Sequence, residues 1–237
     1  MEKKLLTFTC CLLAAVSIFT QNNQNGQMLE NSIPKDWALY DIGDVGQIAI
    51  PLTLELRSKN SVHTLNQKAI KNYFVVHKKI EVSSLTNYQL IFQPLGYDNG
   101  EIPSTYMRVL IKYQKGKLGD FMKWNDASNL TSSDREKVDK RYKQDLLNAI
   151  SKGKDIMKMK LISRNPIEVG KTNGLAYIKH SYKRQMGEKP IVKVQSYSFY
   201  NSDEMVEITI SYGLAENETE NILLDKIASM FNFNNRK

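Results

Sequence analysis

The chain has 237 residues, a formal net charge of +8, 41% hydrophobic and 24% charged residues. This is the composition of a globular protein and excludes a disordered, collagen-like or fibrous one. Its length suits one domain once a targeting segment is set aside.

The first elements concern compartment. Lys3 and Lys4 form a basic start, Leu5 to Phe19 follow without a charge, and a polar run begins at Gln21. That order predicts a secretory signal peptide over residues 1–20, cut after Ser17 or Thr20, with a polar leader over 21–32. The uncharged run is shorter than the roughly 20 residues that a membrane-crossing helix needs. Cys10 and Cys11 lie inside it and not at its end, which speaks against a lipid anchor, and no other cysteine occurs. A processed chain would therefore have no disulfide, thiolate metal site or cysteine nucleophile.

Trp37–Tyr40 and Gly46–Ile50 read as strands joined by a turn, and Leu52–Arg57 as a further extended piece. Residues 58–87 are the least regular stretch, with a short helix expected around 65–73. Tyr88–Gln93 and Tyr106–Tyr113 are strand-like, parted by turn-formers at Gly96, Asn99, Gly100 and Pro103. A helix is predicted from Thr131 or Ser133, with Ser133 and Glu136 as a capping box and Asp134 suited to the positive end of the dipole. Val138, Tyr142, Leu146 and Ile150 make its apolar stripe, and Gly153 is expected to end it. Ile156–Val169 reads as extended, with a bend at Pro166. Asn173-Gly174 predicts a tight hairpin turn, because both residues tolerate positive φ. Strands follow at Leu175–Arg184, Ile191–Tyr200 and Met205–Tyr212, with a turn at Asn201–Asp203. Val206, Ile208, Ile210 and Tyr212 share one face of the last strand, while Glu207, Thr209 and Ser211 share the other. The strand before it changes phase between Val194 and Tyr197, which predicts a bulge near Gln195-Ser196. A last amphipathic helix is expected to carry Ile222, Leu223, Ile227, Met230 and Phe231. Hairpin-linked strands with few helices specify an α+β fold with an antiparallel sheet, in a single domain over 33–237.

No motif for phosphate cradling, zinc hydrolysis or a serine nucleophile occurs. His63, His77 and His180 are not at metal-ligand spacing. Asp203-Glu204 reads as a solubilising turn. Asn129 and Asn217 head glycosylation acceptor patterns that also serve as helix starts. The stretch "GLAYIKHSYKRQ" offers the best candidate binding residues: Lys179, His180, Tyr182 and Arg184. Alternation places His180 with Ala176, Ile178 and Tyr182, and separates Lys179 and Lys183 from His180 and Arg184. The positive charge is spread along the chain, so it argues first for a solvated surface and only then for an anionic lipid or glycan.

"WALYDIGDVGQIAIP", and "GLAYIKHSYKRQ" followed by "VKVQSYSFYNSDEMVEITISY", resemble the PsbP-like and DcrB-like group over roughly Ile33 to Phe233. The resemblance implies a curved antiparallel sheet flanked by helices, an α/β/α sandwich. It also implies an extracytoplasmic, non-enzymatic accessory protein of an envelope or membrane complex and supplies no catalytic residues; the motifs themselves suggest no cofactor or metal, and nucleic acid is not the expected partner outside the cytoplasm. The competing expectation is a cell-envelope hydrolase that pairs His180 with a carboxylate. The partner surface of an accessory protein would be one sheet face or the loops at 98–104 and 201–204.

Overall fold

Period-two alternation becomes two stacked sheets in the computed structural model, which describes residues 33–42, 45–57, 77–80, 87–95, 106–214, 226–234 and 236–237. In chain order the strands are β1 (Trp37–Ile42), β2 (Gly46–Pro51), β3 (Leu54–Leu56), β4 (His77–Ile80), β5 (Asn87–Pro94) and β6 (Met107–Lys115). After the helix α1 (Ser132–Met157) come β7 (Met159–Arg164), β8 (Glu168–Thr172), β9 (Leu175–Met186), β10 (Val192–Tyr200), β11 (Glu204–Gly213) and β12 (Phe231–Phe233). The larger sheet runs β3-β5-β6-β11-β10-β9-β7, with β8 also paired to β9; the smaller runs β12-β2-β1-β4. The larger sheet is antiparallel throughout its described pairs. In the smaller one β4 lies parallel to β1.

The two sheets share one core. Ile48, Ile50 and Phe231 of the smaller sheet are fully buried with Phe92, Ile111, Phe199, Ile208 and Ile210 of the larger. Tyr40 meets Phe92 edge-on at 4.9 Å, and Phe199 meets Phe231 at 5.0 Å between ring centroids. Each such side chain contributes on the order of 2 kcal/mol through burial. Asn173 and Gly174 take positive φ, 50° and 74°, and close the β8–β9 hairpin with Thr172 opposite Leu175. The turn expected there is present.

The opposite face of the larger sheet carries α1. Thr131 caps it: its hydroxyl accepts from the Asp134 N–H at 3.2 Å and donates to the Asp134 carboxylate at 2.6 Å. The capping pair is thus Thr131–Asp134 and not Ser133–Glu136. The helix runs past Gly153 to Met157 and ends at Lys158, which adopts the left-handed conformation (φ 49°) and donates its N–H to the Gly153 carbonyl. An interior glycine weakens a helix by about 1 kcal/mol without breaking it, so Gly153 does not end the element and Ile156 is helical.

Three other expectations change. The β10 ladder is unbroken from Val192 to Tyr200 against β11 and to Phe199 against β9, so no bulge lies at Gln195-Ser196. The phase change arises because Val194 faces α1 while Tyr197 and Phe199 face the inter-sheet core. The register shift lies instead in β7, between Leu161 and Ser163. Near the end of the chain, Ile227–Met230 form a 3-10 turn and Phe231–Phe233 a strand on β2, where a helix was expected. Phe231 and Phe233 both reach the core, a strand period that overrides the helical one. Ile222 and Leu223, the helix expected at 65–73, His63 and the loop at 98–104 lie outside the described residues.

The α+β class and its antiparallel sheet stand. The layers do not follow an α/β/α sandwich: among the described residues one α-helix covers one face of the larger sheet and the smaller sheet covers the other. The larger sheet is not strongly curled.

Candidate functional site: a cleft between helix and sheet

The face of the larger sheet under α1 is built from alternate residues of four neighbouring strands. Register sets them in rows: Arg108–Ser211–Val194–Tyr182, then Leu110–Thr209–Ser196–His180, then Lys112–Glu207–Ser198–Ile178. Arg184 lies one row beyond Tyr182, opposite Val192. The middle strands supply short side chains and the flanking strands long ones, so the floor is low and its sides are high. Toward the start of α1 the helix seats on Ala176, Ile178 and Tyr200 through Val138 and Tyr142. Farther along, Asp145, Leu146 and Ala149 stand over a cleft of about 370 Å³. The predicted stripe is only half-buried for this reason.

Two ties hold the roof in place. Asp139 takes both terminal nitrogens of Arg164, one at 2.7 Å, and accepts the Ile167 N–H at 2.8 Å. A bidentate carboxylate–guanidinium pair fixes direction as well as distance. Tyr142 shares a 3.1 Å hydrogen bond with Ser198 and stacks on His180 at 4.4 Å.

Within the cleft, Ser196 and Thr209 share a hydrogen bond of 2.7 Å, Thr209 donates to Glu207 at 3.1 Å, and Lys112 lies 3.7 Å from the same carboxylate oxygen. Burial pushes the His180 pKa down; the Glu207 charge opposes this, while Arg164 and Lys112 add to it. His180 is therefore a neutral imidazole at pH 7. Burial also raises the Tyr182 hydroxyl. Among the described residues, His180 Nδ1, Arg108 Nε and Arg184 Nε are buried nitrogens without a hydrogen-bond partner, as is Trp37 Nε1 elsewhere in the molecule. His180, Arg108 and Arg184 line this cleft; Trp37 does not.

Of the four residues singled out in the sequence, His180, Tyr182 and Arg184 line the cleft. Lys179 is on the other side of β9, 3.3 Å from Glu168 and above the Tyr197 ring. Sequence reasoning missed Arg108, Lys112 and Glu207; only the β6–β11 register sets Lys112 opposite Glu207 and Arg108 opposite Ser211. His180 and Glu207 line the same cleft but make no hydrogen bond to each other. Asp203-Glu204 is not a solvated turn: the Glu204 carboxylate is buried and accepts from Tyr113 at 3.0 Å and Asn201 at 3.1 Å. Lys237 binds Asp203 at 2.9 Å and donates its N–H to Asn201. Among the described residues no three His, Cys, Asp or Glu side chains gather to hold a metal ion, and no helix is long and apolar enough to cross a membrane.

No family model matches the sequence, and no curated protein matches it. Among solved structures, the chain is similar to the solution structure of cyanobacterial PsbP (CyanoP) from Synechocystis sp. PCC 6803. The two are 14% identical over 85% of this chain and 95% of that one, with a TM-score of 0.45. That protein belongs to the group that the sequence resembles, and a likeness this loose says nothing about what either protein binds.

Proposed function

We propose that this chain is a non-catalytic binding or accessory protein that works outside the cytoplasm beside an envelope or membrane complex, and that the helix–sheet cleft is its recognition site. In this reading residues 1–20 direct secretion, 21–32 are a leader, and 33–237 fold as one unit. One observation carries it: two arginines and a histidine line a single cleft with buried nitrogens that the protein leaves without partners. Native proteins satisfy nearly all such groups internally, and unmet donors beside one concavity suit a ligand or water that settles there.

The hydrolase reading keeps one point in its favour, since His180 shares the cleft with a carboxylate. General-base work needs His180 oriented by that carboxylate. Glu207 is instead engaged by Thr209 and Lys112, and His180 is stacked on Tyr142 at an interplanar angle of 30°. Surface attachment to anionic lipid or glycan predicts recovery on vesicles or polysaccharide that falls with salt and ignores the cleft.

The test is recovery of membrane complexes from the source cell's envelope by the tagged chain and by its Ala149→Trp variant. Ala149 is an exposed helix position at the cleft, so tryptophan there blocks the opening without entering the core. A specific complex retained by the wild type and lost by the variant supports the proposal. Retention by both sinks it, as does turnover of an envelope substrate that disappears with His180→Ala.

A further inference from the structure

Resting on that reading, we propose that the cleft takes a small organic anion: one carboxylate or phosphate group carried on an apolar body. Arg108 and Arg184 meet the anion, while Leu110, Val194 and Leu146 surround the body.

Arg108 is on β6 and Arg184 on β9, three strand steps apart and one row out of line, so their backbones stand about 16 Å from each other. Between them the floor is Ser211 and Val194, both short; both arginines line the cleft, and the Arg184 guanidinium leans toward Met159 on β7, the side away from Arg108. Neither arginine forms an ion pair among the described residues. Arg184 makes one weak contact, to the Met159 sulfur at 3.8 Å. A guanidinium offers five donors in a fixed plane, matched to the paired oxygens of a carboxylate or phosphate.

Charge balance selects an anion. Of the carboxylates at the cleft, Glu207 is engaged by Lys112, two rows away from Arg108, and Asp145 is on the exposed helix roof without a salt bridge to either arginine. The arginine end of the cleft is therefore left positive. A divalent cation is repelled by that end, and a polymeric glycan or nucleic acid exceeds a volume of about 370 Å³. That volume is at the small end of ligand pockets, which run from about 300 to 1,000 Å³. A bare inorganic ion would leave the apolar surfaces of Leu110, Val194 and Leu146 wet, so the ligand has an apolar portion to cover them.

The test is calorimetric titration of the full chain with octanoate, octyl phosphate, octanol and inorganic phosphate. The expected result is one site for octanoate, octyl phosphate or both, the tighter of the two identifying the anion. Octanol and inorganic phosphate should bind about tenfold or more weakly. Arg108→Met and Arg184→Met should each weaken the amphiphilic anion about tenfold or more, and Ala149→Trp should abolish its binding. Should either methionine variant fail to show the wild-type circular dichroism, Arg108→Lys and Arg184→Lys replace it; they keep the charge, lose the fork, and should still weaken binding measurably. Octanol binding as tightly as octanoate, with the arginine variants unaffected, overturns the anion and leaves the cleft as a recognition site. Absence of binding by every probe overturns the inference too. The proposed function falls with it only if recovery of the membrane complex is also insensitive to Ala149→Trp.

Discussion

Along β11, Val206, Ile208, Ile210 and Tyr212 turn toward the smaller sheet and are buried, whereas Glu207, Thr209 and Ser211 turn toward α1 and line a cleft. The same strands thus make two surfaces with opposite duties. On one, aromatic and branched side chains from two sheets interlock, and stability resides there. On the other, polar side chains meet a helix that touches down at one end and stands clear at the other. A face that the fold does not need to fill is free to be shaped for a ligand.

The sharpest way to break this contrast is a pair of neighbours on β11. Ile208→Ala removes a fully buried side chain and should cost about 3 kcal/mol in urea denaturation. Thr209→Ala, one residue on and on the other face, should cost under about 1 kcal/mol. Equal costs would mean that both faces are core. Next in size is the roof tie: Asp139→Ala leaves Arg164 and the Ile167 N–H without their acceptor and should cost about 2 kcal/mol. Hydrogen exchange would then rise in the first half of α1 more than in β11. Gly174→Ala should cost about 1–2 kcal/mol in thermal melts, since an L side chain is strained at φ 74°.

The smallest effect concerns pH. The folded-state pKa of His180 is lowered from 6.5 by burial, so the unfolded chain binds this proton at higher pH than the folded one. Its contribution is complete above 6.5 and is lost as pH falls through 6.5 toward the lowered value. Stability of His180→Gln should accordingly decline less than that of the wild type between about pH 7 and pH 5.

How much of this was legible in the sequence depends on how local each signal is. The Asn173-Gly174 hairpin and the β11 alternation are carried by adjacent residues, and both appear as read. The faces of β9 are also local, so His180, Tyr182 and Arg184 fall together and Lys179 apart. The β10 phase change was legible but its cause was not: Val194 and Phe199 are both sheltered, on opposite faces, and alternation assumes a single sheltered face. Ile227, Met230 and Phe231 read as one helical face because nothing nearby reveals that β2 offers a free edge. The cleft itself is a product of register. Lys112 and Glu207 are far apart in the chain, and only the pairing of β6 with β11 makes them neighbours.

Methyl NMR of the chain labelled at isoleucine, leucine and valine, titrated with octanoate and with octyl phosphate, tests the difference between the two faces most directly. The account predicts shifts at the methyl groups of Leu110, Val194 and Leu146, with Val206, Ile208 and Ile210 left in place. Shifts centred on Val206, Ile208 and Ile210, or no shift at Leu110, Val194 and Leu146, would contradict it.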